Sequence, residues 1–250
     1  MNEYTKHLNR IEFVVTMACT GRCKHCSEGE HRAVGEHIDG EAAALAIKEL
    51  CENYKIDSLM TFGGEPLLYL DDVCKIHEAA KQMNIEKREL ITNGFFTKDK
   101  SKIGEAAEKL KESGVTNLLL SVDAFHQETI PLDTVKFFAE CIKNTGIKIK
   151  VHPAFLVSEE DNNPYNLKTR EVLREFTAMG IEISSGNIIF PRGNAVKYLG
   201  EYFDSNIQYV NPYEEDPEDL HTVSFSSNGD VLGGNLYKDN ILNIINSYKP

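Results

Sequence analysis

No apolar run in this 250-residue sequence is long enough to span a bilayer, and no low-complexity tract interrupts it. Positive charge is scarce: 27 Lys and Arg stand against 39 Asp and Glu, a formal net charge of −12. That balance disfavours a duplex- or tRNA-binding surface, because phosphate contacts need clustered Lys and Arg. The opening residues, MNEYTKHLNR, are polar, and no signal-peptide apolar core follows them. The expectation is a cytoplasmic chain with neither nucleic acid nor membrane among its partners, in a compartment where thiols stay reduced. Its length allows one full hydrophobic core, or one core with a small appendage.

Cysteine is too sparse for a disulfide scaffold, but its distribution is uneven. Cys51, Cys74 and Cys141 are far apart, each in a predicted helix, and read as small apolar residues. Cys19, Cys23 and Cys26 crowd into CTGRCKHC, a C-x3-C-x2-C run that lacks the fourth ligand of a structural zinc site. Three thiolates on one loop suit a soft metal centre. An iron–sulfur cubane held there would leave one iron free to bind a ligand, as a catalytic zinc keeps an open position. The alternative is structural zinc completed by His25 or His31, with His25 poorly placed for joint chelation beside Cys26.

The chain alternates strand and helix. Strands are predicted at 12–15, 57–62, 87–92, near 117–122 and 147–152, and in part of 181–190. Asp39 is placed to cap a helix reaching about residue 54, and Asp71 the next helix, in which Val73, Ile76, Ala80 and Met83 share a face. Ile103, Ala106 and Leu110 mark a third helix, and two more fall at about 131–145 and 166–179. Gly114, Gly146 and Gly180 each sit between a helix and the next strand, where a left-handed cap favours glycine. About six βα units of this kind make an α/β protein, either a parallel barrel or a doubly wound sheet, with ligands at the C-terminal strand ends. Polar and glycine-rich stretches gather at those ends: the cysteines after the first strand, GGEP (63–66) after the second, TNG (92–94), SVDAFHQE (121–128), and His152.

CTGRCKHC, followed about 40 residues on by GGEP and then by TNG and SVD in order, resembles the motif set of the radical S-adenosylmethionine (radical SAM) superfamily. The resemblance covers about residues 10–195 and implies a partial (β/α)6 TIM-type barrel. It implies a [4Fe-4S] cluster on Cys19, Cys23 and Cys26, with S-adenosylmethionine chelating the free iron. His25 would pack near the adenine, and Gly63, Gly64 and Glu65 would receive the methionine amino group. Ser121 and Asp123 would hold carboxylate or ribose hydroxyls, with Thr92 and Asn93 nearby. Such enzymes cleave the cofactor reductively to a 5′-deoxyadenosyl radical that takes hydrogen from substrate. A reductant such as flavodoxin or ferredoxin would supply the electron, and the chemistry is anaerobic.

Beyond residue 195 the rhythm stops. NPYEEDPEDLH (211–221) reads as a loop whose acidic run is a solvated face, HTVSFSSNGDVLGGN as a hairpin turning at Asn228–Gly229, and NILNIINSY as a closing helix. The division expected is a barrel over 1–195 and a β-hairpin-plus-helix lid over 196–250. PRGNA (191–195) and NGDVLGGN (228–235) resemble stretches of the SPASM or twitch extensions of peptide-modifying members. Gly234 stands where an auxiliary-cluster cysteine would be, so a twitch-like remnant without metal is implied; an unrelated hairpin is the alternative. His126, His152 and Arg192 are candidate substrate-handling residues, against a helix-capping or backbone-bonding role for the histidine in 126 and a solvated arginine. The substrate implied is a peptide or an amino-acid-like small molecule. The alternatives are a glycyl-radical-enzyme activase and a non-catalytic iron–sulfur sensor or maturation protein.

Overall fold

The computed structural model describes residues 2–204, 206–209, 211 and 213–250. Strand and helix alternate through β1 (Arg10–Thr16), α1 (Gly40–Asn53), β2 (Ser58–Gly63), α2 (Leu70–Gln82), β3 (Lys87–Thr92), α3 (Lys100–Ser113) and β4 (Asn117–Ser121). They continue through α4 (Ala124–Gln127), α5 (Leu132–Thr145), β5 (Lys148–His152), β6 (Ala154–Phe155), α6 (Pro164–Ala178), β7 (Glu182–Ile183) and β8 (Asn187–Ile188). The chain ends with α7 (Asn194–Leu199), β9 (Thr222–Phe225), β10 (Asp230–Val231), β11 (Gly234–Asn235) and α8 (Ile241–Ser247).

The main sheet has seven strands in the order β7-β5-β4-β3-β2-β1-β9, every pair parallel. Helices cover it, as the α/β partial-barrel reading required, and this sets all strand C-termini at one mouth. Local chemistry explains the element ends. The Asp39 carboxylate accepts the Glu41 and Ala42 backbone N–H groups and starts α1. Gly114 and Gly146 close α3 and α5 at φ 95° and 81°. Asp71 does not cap α2: the helix begins one residue earlier, so Asp71 lies in its first turn, where a negative charge still suits the helix dipole.

The sixth strand is broken. β7 pairs with β5 and β8 with β6, and the break falls at Pro153, which has no N–H to give the ladder. Gly186 sits opposite at φ 68°, and a Cβ there would lie 2.3 Å from the Pro153 carbonyl oxygen.

The tail differs from expectation. Thr222–Phe225 is not the arm of a free hairpin; it extends the main sheet in parallel beside β1, with Ile11 opposite Val223 and Phe13 opposite Phe225. The Phe13 and Phe225 rings stack at 4.6 Å, both fully buried. A two-stranded hairpin alone could not bury those side chains, whereas the barrel edge can. Asn228–Gly229 turns the chain out of β9, and the antiparallel ladder lies beyond it between β10 and β11. Leu232 and Gly233 close that ladder with φ 46° and 77°, the type I′ pattern. Val223, Phe225, Val231, Ile241 and Ile245 join the same core as the barrel strands, so 196–250 is not packed apart from 1–195. Pro212, within the stretch read as a loop, lies outside the described residues, and the rest of 211–221 is turn and coil. Among the described residues no helix is long and apolar enough to cross a membrane.

Candidate active site

β1 delivers its chain directly into the cysteine loop, and two neighbouring strand ends fix that loop. The Gly64 and Glu65 N–H groups donate to the Thr16 and Ala18 carbonyls at 2.7 and 2.8 Å. A Cβ on Gly63 would lie 2.3 Å from the Thr16 oxygen, and one on Gly64 2.2 Å from the Ala18 oxygen. These glycines are therefore demanded by the protein's own backbone at the root of the loop, not only by a ligand.

Glu65 is fully buried. Its Oε1 accepts from Leu67 N–H (3.0 Å) and Thr92 Oγ1 (2.7 Å), and its Oε2 from Asn93 N–H (2.8 Å). Burial pushes its carboxyl up to about 7, against the lowering effect of those bonds. Asn93 carries the network onward: its Nδ2 donates to Thr20 Oγ1 (3.2 Å) and toward Cys19 Sγ (3.6 Å). Gly21 N–H also points at Cys19 Sγ, at 3.3 Å. Thr92 and Asn93, expected near the ligand, thus join Glu65 to the first cysteine.

A second group forms around Cys23. One ligand atom each from Cys23, His25 and His126 lies within 4.8 Å of the others. The His25 ring packs on Phe125 (4.9 Å) and His126 (4.8 Å), and its Nδ1 is buried without a partner. Burial pushes His25 down to about 4, only partly offset by Asp123, which keeps the ring neutral.

Asp123 requires a correction. Its expected role was contact with ligand carboxylate or ribose. It is fully buried and accepts four N–H donors: Phe125 and His126 backbone on Oδ1 (3.0 and 2.9 Å), His126 Nδ1 and Ala154 backbone on Oδ2 (2.8 and 3.1 Å). Four donors fill the lone pairs of a carboxylate, leaving none for a ligand. Burial would raise this carboxyl, but His126 and the accepted bonds hold it well below the usual range. Asp123 caps α4 and orients His126, so the histidine is held to the mouth through it.

The remaining candidates are less concerted. Ser121 is half-buried and faces His152 in register across β4 and β5. His152 Nδ1 bonds Ser184 Oγ at 2.8 Å, and burial pushes its pKa down. Arg192 is about half exposed and reaches Glu28 at 3.8 Å, a rim position.

Cysteine-loop supports that the motifs did not reveal come from 193–194. Asn194 N–H and Nδ2 donate to the carbonyls of Cys26 (2.9 Å) and Cys23 (3.1 Å). Gly193 lies so close that a Cβ would meet the Ser27 oxygen at 2.4 Å. PRGNA was visible in the sequence only as a junction. His31, weighed as a zinc ligand, sets its Nε2 3.1 Å from Cys26 Sγ and its Nδ1 2.7 Å from the Met17 carbonyl.

This loop suits an iron–sulfur cluster. Burial pushes the Cys19 thiol up to about 11 and raises Cys23 and Cys26 as well, so thiolates here need a cationic centre to be stable. The N–H donors of Gly21 and Asn93 already aim at a sulfur.

Comparison with known proteins agrees. The model of the Radical SAM superfamily matches residues 13–204. A probable GTP 3′,8-cyclase of Saccharolobus islandicus is 28% identical over 190 residues, 75% of this chain and 58% of that protein. The chain thus spans less than two thirds of the length of the curated relatives it matches. Streptococcus suis SuiB bound to S-adenosylmethionine superposes with a TM-score of 0.60 at 13% identity, over 97% of this chain and 66% of SuiB. The enzyme anSMEcpe with bound S-adenosylmethionine gives 0.59 at 15% identity, over 95% of this chain and 80% of that one. At these identities the two structures speak for the fold. The chain belongs to the radical SAM superfamily, as an enzyme whose cofactors are a [4Fe-4S] cluster and S-adenosylmethionine.

Proposed function

We propose that this enzyme acts on a peptide or amino-acid-like substrate rather than on a nucleoside triphosphate. When bound, the cluster and S-adenosylmethionine supply a 5′-deoxyadenosyl radical that takes hydrogen from the substrate, with the electron drawn from a flavodoxin- or ferredoxin-type reductant. Cys19, Cys23 and Cys26 would hold the cluster, and the Glu65–Thr92–Asn93 network keeps their loop in place. His25, with its neutral ring, lies beside Cys23 as a packing surface for the nucleoside.

The pairing of the mouth cations carries the reading. Lys24 is bonded to Glu128 at 2.9 Å, Arg192 faces Glu28, and Lys197 is bonded to Glu30. Arg22 donates to the Cys19 and Gly21 carbonyls. Of the cations on this loop and on 192–197, only Arg32 has no carboxylate or carbonyl partner among the described residues. A triphosphate needs several free cations at once. SuiB has been solved with its precursor peptide SuiA and anSMEcpe with a peptide, and both resemble this chain over nearly its whole length, tail included. The 28% identity to a probable GTP 3′,8-cyclase is the observation for a nucleotide substrate, over a part of that protein only.

The test is anaerobic reconstitution, followed by S-adenosylmethionine, dithionite and either GTP or peptides deuterated at their α and β carbons. Deuterium in the 5′-deoxyadenosine from a peptide supports the reading. Stimulated turnover with GTP and none with any peptide overturns it.

A further inference from the structure

We propose that His7, Asp219 and His221 form a second metal site, which takes a divalent transition-metal ion such as zinc on two imidazoles and one carboxylate. His7 Nδ1 lies 2.7 Å from Asp219 Oδ1, and His221 Nε2 lies 3.6 Å from Asp219 Oδ2. One ligand atom from each of the three falls within 4.8 Å of the others. The two imidazoles face each other at 5.7 Å with 21° between their planes. Two imidazoles with a carboxylate are a donor set for zinc, nickel or copper rather than for calcium or magnesium, which favour oxygen alone.

The backbone beneath these side chains is held from both segments. The His221 carbonyl accepts the Asn9 and Arg10 N–H groups at 3.0 and 3.2 Å, and Leu220 N–H donates to the Tyr4 carbonyl at 2.8 Å. The Glu215 carboxylate accepts the His221 and Thr222 N–H groups, both at 2.9 Å. Only side-chain rotation is then needed to close on an ion. All three side chains are about half exposed, so an ion enters from solvent and water completes its shell. The neighbouring acidic run 214–219, in a chain of net charge −12, raises the local cation concentration.

The position gives the site a purpose. Arg10 pairs with Thr222 at the N-terminal ends of β1 and β9, the opposite end of the sheet from the cysteine loop. An ion there would staple the N-terminal segment to the edge strand that closes the tail onto the barrel, stabilising the folded chain by mass action.

The experiment is anaerobic equilibrium dialysis of the cluster-loaded protein against zinc chloride, with zinc and iron counted per chain and thermal midpoints measured alongside. The wild type should bind one further zinc with its iron unchanged and melt higher with zinc than with calcium. His7→Gln keeps a hydrogen bond to Asp219 but cannot ligate; it and His221→Gln should lose both the zinc and the shift. Equal zinc uptake by the variants, zinc taken up only as iron is lost, an equal shift with calcium, or no uptake at all would each overturn the proposal.

Discussion

Replacing Asp123 by Asn separates two accounts of the SVD motif. If the carboxylate met the ligand, Asp123→Asn would weaken S-adenosylmethionine binding and leave the protein's stability nearly unchanged. In the structure its oxygens face only protein donors. The asparagine Oδ1 can keep the Phe125 and His126 N–H bonds that cap α4. Its Nδ2 can donate to His126 Nδ1 once that ring moves its proton to Nε2. The Ala154 N–H has no such escape. It would face an NH2 group and lose its acceptor while buried, which costs about 1–3 kcal/mol. In a chain of this size each kcal/mol moves the midpoint by about 2–4 °C, so the cluster-free variant should melt roughly 2–12 °C lower. Asp123→Ala, which removes the cap too, should fall further, by about another 0.5–2 kcal/mol. Thermal unfolding by circular dichroism measures this, and calorimetric titration of the loaded variant with S-adenosylmethionine measures the other account. An unchanged midpoint with weakened cofactor binding would refute the buried-cap reasoning.

Three further outcomes follow from the same packing. Gly64→Ala sets a Cβ 2.2 Å from the Ala18 carbonyl oxygen, a backbone clash with no side chain to yield, so iron retention after reconstitution should collapse. Asn194→Ala orphans the buried Cys23 carbonyl at a cost of about 1–3 kcal/mol, and the cluster should bleach faster in air than in wild type; equal bleaching rates would count against that support. His77 bonds Thr61 Oγ1 through Nε2 while its Nδ1 is buried without a partner, and burial pushes it down to about 3. The unfolded ring, near 6.5, then binds a proton that the folded ring refuses, so stability is lost as pH falls from about 6.5 toward 3, by about 1.4 kcal/mol per pH unit. His77→Gln should flatten that slope in urea midpoints taken between pH 6.5 and 4.5.

What could be read ahead of the structure was whatever repeats or sits close along the chain. The cysteine spacing, GGEP, TNG and the glycine caps at 114 and 146 are local signals, and the parallel sheet follows from the alternation they punctuate. The misread parts are long-range. Val223 and Phe225 carry the alternation of any half-buried strand, and nothing in HTVSF says that the partner is β1, some two hundred residues earlier, rather than the segment just past Asn228–Gly229. Asp123 shows the same limit at the site. An aspartate after a strand reads equally as a ligand contact or a helix cap, and the donor that decides between them, Ala154 N–H, arrives from a different strand. Asn194 does its work across 171 positions of sequence, on the carbonyl of Cys23. The thiols that hold the cluster are thus legible in one short motif, while the groups that hold the thiols come from β2, β3, α4 and α7. An enzyme rebuilt from the motif alone would have its ligands without the buried hydrogen bonds that aim them.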